Sequence, residues 1–382
     1  LVYQQTASVL LSAAAFAVSF LPWLIGGTVL AALAERYPYR RVLVASDLSR
    51  MVLIALLLVP DLPIAAMLGL LFLSSLGAPP SQAARSALLP MVVGRDKLPI
   101  AVATNSTTMQ AAQVVGYLVG AALATGLSPQ IALGLDVLTF GLSALLIAMG
   151  IGPRPAARST AERTHLLHES AEGFRLVFGQ ETLRSIAIMV FALTCFVVVP
   201  EGLAAAWAAQ VGSGSTQGLY QGLIMAAGPT GFVLGGILVT RIIGPAQRER
   251  LIRPLAVLSA LALVPAVASP PPLVVAVLAM IAGLAQGGVL PTLNSKFVLI
   301  LPHGYRARAF GVMQTGMQVS QFGAVMITGV LADHFRLPVV VGLWSVGGTI
   351  AMVLLAARWP STASFDAAGK AAERPAPPVA EP

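Results

Sequence analysis

The chain has 382 residues, 57% hydrophobic and only 10% charged. Soluble domains carry about 25% charged residues, so this chain lacks the charge to cover a water-exposed surface, and a soluble enzyme is disfavoured from the start. The 23 Lys+Arg against 15 Asp+Glu leave +8, which a membrane explains better than nucleic acid does, and a lone cysteine, Cys195, excludes a disulfide framework or a cysteine metal cluster.

A membrane-crossing helix needs about 20 mostly apolar residues, and in a bilayer only helices or closed barrels satisfy the backbone. The apolar runs here are too continuous for barrel strands, which alternate over about 10 residues. In chain order the pattern predicts eleven helices, over 7–33, 42–59, 63–93, 99–126, 131–151, 183–209, 218–240, 254–268, 273–301, 309–333 and 338–357. Their ends are punctuated by Pro60-Asp61, Ser128-Pro129, Gly212-Ser213-Gly214-Ser215 and Pro270-Pro271-Pro272. Residues 152–182 read as a basic linker, with His165 and His168 solvated within it, and the tail 358–382, rich in Ala, Pro and Glu, reads as disordered.

Orientation follows from the cations. Alternate loops and the tail hold 19 of the 23 Lys and Arg, whereas the opposite set of loops holds only Arg336. Basic residues gather on the cytoplasmic side, so the linker and tail are expected there and residue 1 outside. Arg50, Arg85 and Lys296 lie within spans near basic ends, where long side chains snorkel.

A weak repeat recurs at a spacing of about 208 residues: Gly26-Gly27 returns as Gly235-Gly236, Leu76 as Leu284, and Gln113 as Gln321. Each pair lies in spans of like orientation, a parallel repeat of the kind found between transporter halves. The expected organisation is an N-terminal half (1–151) with five spans, the linker (152–182), and a C-terminal half (183–357) with six. The count implies one further helix upstream, making twelve.

At the first cytoplasmic loop stands Ala31-Ala32-Leu33-Ala34-Glu35-Arg36-Tyr37-Pro38-Tyr39-Arg40-Arg41. It resembles the signature Gly-x-Leu-Ala-Asp-Arg-x-Gly-x-Arg-Arg of the major facilitator superfamily, departing from it at Ala31, Glu35 and Pro38. Asp47 and Arg50 match the Asp-x-x-Arg that follows this signature in drug exporters. Glu172-Gly173-Phe174-Arg175 with Leu183-Arg184, and Ala83-Ala84-Arg85-Ser86-Ala87-Leu88-Leu89-Pro90, resemble the macrolide-efflux and enterobactin-exporter branch. The resemblance implies an all-α integral membrane protein, a two-half helical bundle working by alternating access. The cluster from Glu35 to Arg41 has two readings: a positive-inside anchor, or a gating latch of Glu35, Arg36, Arg40, Arg41, Asp47 and Arg50, carboxylates and guanidinium groups that pair across helices in one state and part in another. Gly116-Tyr117-Leu118-Val119-Gly120 occupies the place of the Gly-Pro-x-x-Gly antiporter motif, with Tyr for Pro. Leu331-Ala332-Asp333-His334-Phe335 resembles a second signature but lies on the opposite side, and is read as coincidental.

Among carboxylates, Asp136 and Glu201 lie deepest within spans. Burial disfavours the charged form of a carboxylate, so both are candidates for carrying a proton, Glu201 after Pro200, where a kink admits water. Ser106, Gln110 and Gln113 stand at i, i+4, i+7, and Gln314, Gln318 and Gln321 repeat the spacing, each trio on one helix face. Two uses are open: hydrogen bonds between neighbouring helices, or the preferred polar wall of a substrate cavity. No nucleotide-binding loop, metal-ligand spacing or Ser/His/Asp arrangement occurs, so no cofactor is expected. The reading is a multi-pass cell-membrane transporter, acting as a monomer, that exports a small amphipathic compound in exchange for protons. An importer of the same fold and a membrane enzyme acting on lipid-like substrates are the alternatives, the latter lacking a cluster of intramembrane Asp, His or Arg near one face.

Overall fold

The computed structural model describes residues 2–23, 37–93, 98–126, 129–152, 166–212, 215–301 and 306–373. Among them every regular element is helical. The first half contains α1 (Val2–Thr6), α2 (Val9–Ala17), α3 (Tyr39–Leu56), α4 (Ile64–Ser75), α5 (Ala78–Val93), α6 (Leu98–Gly126) and α7 (Pro129–Gly150). After them come α8 (Leu166–Gly179), α9 (Glu181–Val197), α10 (Val199–Gly202), α11 (Ala204–Val211) and α12 (Ser215–Ile242). The chain closes with α13 (Pro245–Leu261), α14 (Pro272–Ile300), α15 (Arg306–His334), α16 (Leu337–Ala357) and α17 (Thr362–Glu373). Seven stretches among the described residues are long and apolar enough to cross a membrane.

Helices occupy ten of the predicted spans and the described part of the first, whose residues 24–33 lie outside the described ones, and several spans are broken, the first by a 3-10 turn over Val18–Phe20. The 63–93 stretch divides between α4 and α5 at Leu76-Gly77, and Pro79-Pro80 follow, residues without an N–H for the ladder. The 183–209 stretch divides at Val198 and Leu203, leaving α10 as a four-residue turn with Pro200 at its start. The expected 254–268 span runs earlier, as α13 followed by a 3-10 turn over Val264–Ala268, and ends at Ser269 in the left-handed region (φ 54°) before the proline run.

Two segments assigned to linker and tail also fold. Part of the linker is α8, whose Glu172 pairs with Arg308, while a side chain at Gly173 would strike the backbone of Arg308 at 2.9 Å. The tail is not disordered throughout: α17 packs on α14, burying Phe365 against Trp359 with ring centroids 5.5 Å apart. Composition missed this because one buried aromatic face anchors an otherwise polar helix.

The second half shares one large core, from Leu183, Ile186 and Leu193 on α9, through Ile252 and Ala256 on α13, to Leu293 and Phe297 on α14. Beside it α12 and α14 approach so closely that a side-chain carbon at Gly231, Gly235, Gly283 or Gly287 would overlap the facing helix's backbone. Small residues are what let membrane helices, which gain no hydrophobic drive from leaving lipid, pack backbone to backbone. First-half clusters are smaller, around Ile54, Leu57 and Met67 and around Tyr39, Leu43 and Leu88.

The main contacts between early and late helices are α2 on α15 and α6 on α12. A shift of 208 residues carries α6 onto α15 and the start of α2 onto that of α12. One contact is therefore the image of the other, as a two-fold relation between repeats requires.

Candidate functional site

The break around Pro200 brings Glu201 out of the α9 ladder and into the contact between α10 and α6. Tyr117 on α6 donates its hydroxyl to Glu201 Oε1, across 84 residues of sequence. Gln113 Nε2, one turn earlier on the same face, donates to the Tyr117 hydroxyl at 3.0 Å and also reaches the Glu201 carboxylate. The partners of this carboxylate are thus neutral donors. Glu201 lines a cavity of about 280 Å³ whose walls come from early helices and from residues 201–225, including Tyr3, Ser12, Phe16, Met67, Gln221 and Met225.

Of the expected cavity residues, only Gln113 joins this centre. Gln110 is half-buried on the same helix, and the side chain of Ser106 lies outside the described residues. Gln314, Gln318 and Gln321 are half-buried on α15, and Gln321 Nε2 donates to Gln318 Oε1 at 3.2 Å, so these two amides satisfy one another. None of the three lines the cavity; its amides are Gln217 and Gln221 on α12. The residues that sequence reasoning missed had a signal: Gln113 and Tyr117 stand at i, i+4, and Ser12 and Gln221 are separated by 209 residues, close to the repeat.

Asp136 does not join Glu201. It is exposed on α7, and the charge it feels is that of Arg50. Its depth in the span did not translate into burial: Leu133, Val137 and Phe140 beside it pack on the first-half cluster, while the Asp136 side chain itself stays exposed.

The other polar cluster ties α3 to its neighbours. Asp47 is 3% exposed and accepts a hydrogen bond from Ser143 on α7 at 2.6 Å. Arg50 donates Nε to the Ser74 carbonyl at 3.2 Å and lies 5.8 Å from the centroid of the Phe140 ring. Gly77, at the α4–α5 break, leaves the room this guanidinium fills. Arg40 donates to the Ala148 carbonyl near the end of α7, while Arg41 is exposed. Glu35 and Arg36 lie outside the described residues.

A further clasp joins early and late helices. Asp333, set aside in the sequence as coincidental, caps α2: its Oδ1 accepts from the Val9 and Leu10 amides at 2.8 and 3.2 Å, and its Oδ2 from Ser8 Oγ at 3.2 Å. A carboxylate at a helix N-terminus satisfies free amides and complements the helix dipole.

A multi-pass bundle whose helices pair by two-fold repetition, with a cavity and polar groups gathered where the repeats meet, is the build of a membrane transporter and not of an enzyme. The chain belongs to the Major Facilitator Superfamily, whose family model matches residues 1–324 and again 202–381. A search of curated proteins found no match. Solved structures similar to it include a mutant of the nucleoside transporter NupG, at 14% identity and TM-score 0.69, covering 94% of this chain and 91% of that one. The peptide transporter POT is similar at 13% identity and TM-score 0.67 (95% and 87% covered), and a bacterial homologue of the iron transporter ferroportin at 14% and 0.64 (92% and 90%). At these identities the likeness establishes the fold alone.

Proposed function

We propose that this protein is a proton-coupled exporter of a small amphipathic compound, in which the halves 1–151 and 183–357 rock about the cavity at Glu201. The observation that carries the reading is the Tyr117–Glu201 hydrogen bond, which joins α6 to α10 at the cavity wall. A hydrogen bond to an ionised carboxylate is roughly twice as strong as one between neutral groups, so a proton on Glu201 weakens this clasp and biases the bundle toward parting. The proton enters Glu201 from one side and leaves to the other after the cavity changes exposure, while substrate moves the opposite way.

The cavity walls suit an amphipathic substrate: Phe16, Met67, Leu71 and Met225 supply adaptable apolar surface, and Tyr3, Ser12 and Gln221 supply hydrogen bonds. The Asp333 clasp on α2 serves as the outer latch, on the face with few cations. Arg40, Asp47 and Arg50 serve as the polar hinge of α3, and the resemblance of Asp47 and Arg50 to the drug-exporter Asp-x-x-Arg favours export over import.

The test is transport in proteoliposomes, with a compound panel and an imposed pH gradient. Glu201→Gln keeps the shape of the side chain but cannot cycle a proton, so it is expected to fold, bind substrate and lose gradient-driven transport. Full gradient-driven activity in that variant would remove Glu201 from the coupling mechanism.

A further inference from the structure

Two cavities outside the central site meet at one residue. The first, of about 460 Å³, is polar and lies between the start of α13, α14 and the tail, with Glu249, Arg250, Arg253, Lys296, Trp359 and Thr362 in its wall. The second, of about 540 Å³, is an apolar groove between α13 and α16, lined by Pro254, Val257, Leu258, Leu261 and Val353. Arg253 belongs to both.

The charges in the polar cavity do not cancel. Lys296 Nζ pairs with Glu249 at 2.5 Å and lies 4.6 Å from the centroid of the Phe365 ring. Arg253 donates to the Trp359 carbonyl at 3.4 Å, a neutral acceptor. Among the described residues neither Arg250 nor Arg253 has a carboxylate within ion-pair distance. Two guanidinium groups therefore border a space whose one lining carboxylate among the described residues, Glu249, is taken up by Lys296.

The groove extends this site into the hydrocarbon. From Arg253 to Leu261 the helix rises about 12 Å, most of the ~15 Å depth of one leaflet. Leu261 and Val353 are open to the lipid side, 47% and 49% exposed. An occupant must be anionic where it meets the arginines and apolar for about a leaflet's depth beyond them. We propose that this bipartite cavity binds an anionic glycerophospholipid, with its phosphate between Arg250 and Arg253 and one acyl chain in the groove between α13 and α16. Basic pockets between membrane helices recognise phosphate headgroups in this way. The site is independent of the transport reading.

Native mass spectrometry of the full chain in detergent, titrated with phosphatidylglycerol, phosphatidylcholine or inorganic phosphate, tests the proposal. Phosphatidylglycerol should be retained over phosphatidylcholine, and inorganic phosphate should not displace it. Arg250→Gln with Arg253→Gln should weaken phosphatidylglycerol binding roughly 30-fold, since each interfacial arginine contributes about fivefold. Val353→Trp fills the groove from a lipid-facing position and should lower retention with both arginines intact; it carries the test alone if the double variant does not fold. Unchanged phosphatidylglycerol binding in the double variant, or in Val353→Trp, overturns the site. Displacement by inorganic phosphate also overturns it, leaving a headgroup-only anion site.

Discussion

Helices α3 and α13 occupy equivalent places in the repeat, yet they are held by different physics. A shift of 208 residues puts Arg40 on Arg248, Asp47 on Leu255 and Arg50 on Leu258. The shared arginine does the same local work twice. Arg40 donates to the Ala148 carbonyl near the end of α7, and Arg248 donates to the Val239, Thr240 and Ile243 carbonyls at the end of α12. Cations belong at the C-terminal end of a helix, where carbonyls lack partners. Divergence begins two turns later. Asp47 and Arg50 reach Ser143, Ser74 and Phe140, whereas Leu255 packs on the large apolar core.

A buried charged network is weak evidence for stability, because desolvating the charges offsets most of their attraction. Leucine in the equivalent place shows that the fold does not require charge there. What the charges add is direction: such contacts hold only in a narrow geometry, so they distinguish one arrangement of α3 from another, while apolar packing is indifferent to small sliding.

The sharpest way to break this contrast is Arg50→Ala, which takes the guanidinium away from the Ser74 carbonyl and the Phe140 ring and empties the space beside Gly77. A loss of about 3 kcal/mol is expected, measured by tryptophan fluorescence during unfolding in mixed micelles. The second half should fail by another route. Gly235→Val forces a side chain into the Leu284 backbone; overpacking of this kind costs about 3 kcal/mol and should not depend on salt or pH. Asp333→Ala removes only a cap from α2, a loss of about 1 kcal/mol, with Asp333→Asn restoring most of it. The smallest expected change in stability is the most informative. Asp47→Leu with Arg50→Leu copies the pattern of α13 into α3, and should unfold close to the wild-type midpoint while transport in proteoliposomes is lost. Retained transport in that double variant would make the charges dispensable and erase the functional difference between the two helices.

Much of this architecture is legible without coordinates. Runs of about 20 apolar residues can only be helices in a bilayer, so the spans among the described residues were predictable, though the breaks at Val18–Phe20, Leu76-Gly77 and Pro200 were not. Gln113 was found because helical spacing marks a face. Tyr117 was noticed only as a departure from a motif, and its bond to Glu201 was invisible because nothing local specifies which turn of α10 meets which turn of α6. Asp333 was dismissed because its neighbours in sequence resembled a motif on the wrong side, whereas its partners are the amides of residues 9 and 10.

The sequence by itself determined the membrane class, the helical spans, the distribution of cations and the 208-residue repeat. These follow from composition and short periods, which the bilayer enforces on each segment separately. Tertiary structure alone decided which polar groups meet. Glu201 and Asp136 are both carboxylates within spans, but one lines the cavity and the other stays exposed near Arg50. Likewise the Gln of α12, not those of α15, reach the cavity, and α17 folds because Phe365 finds a buried seat on α14. The physical reason is that a helix fixes its own residues' spacing, while its rotation and depth against its neighbours are set by contacts between segments far apart in the chain.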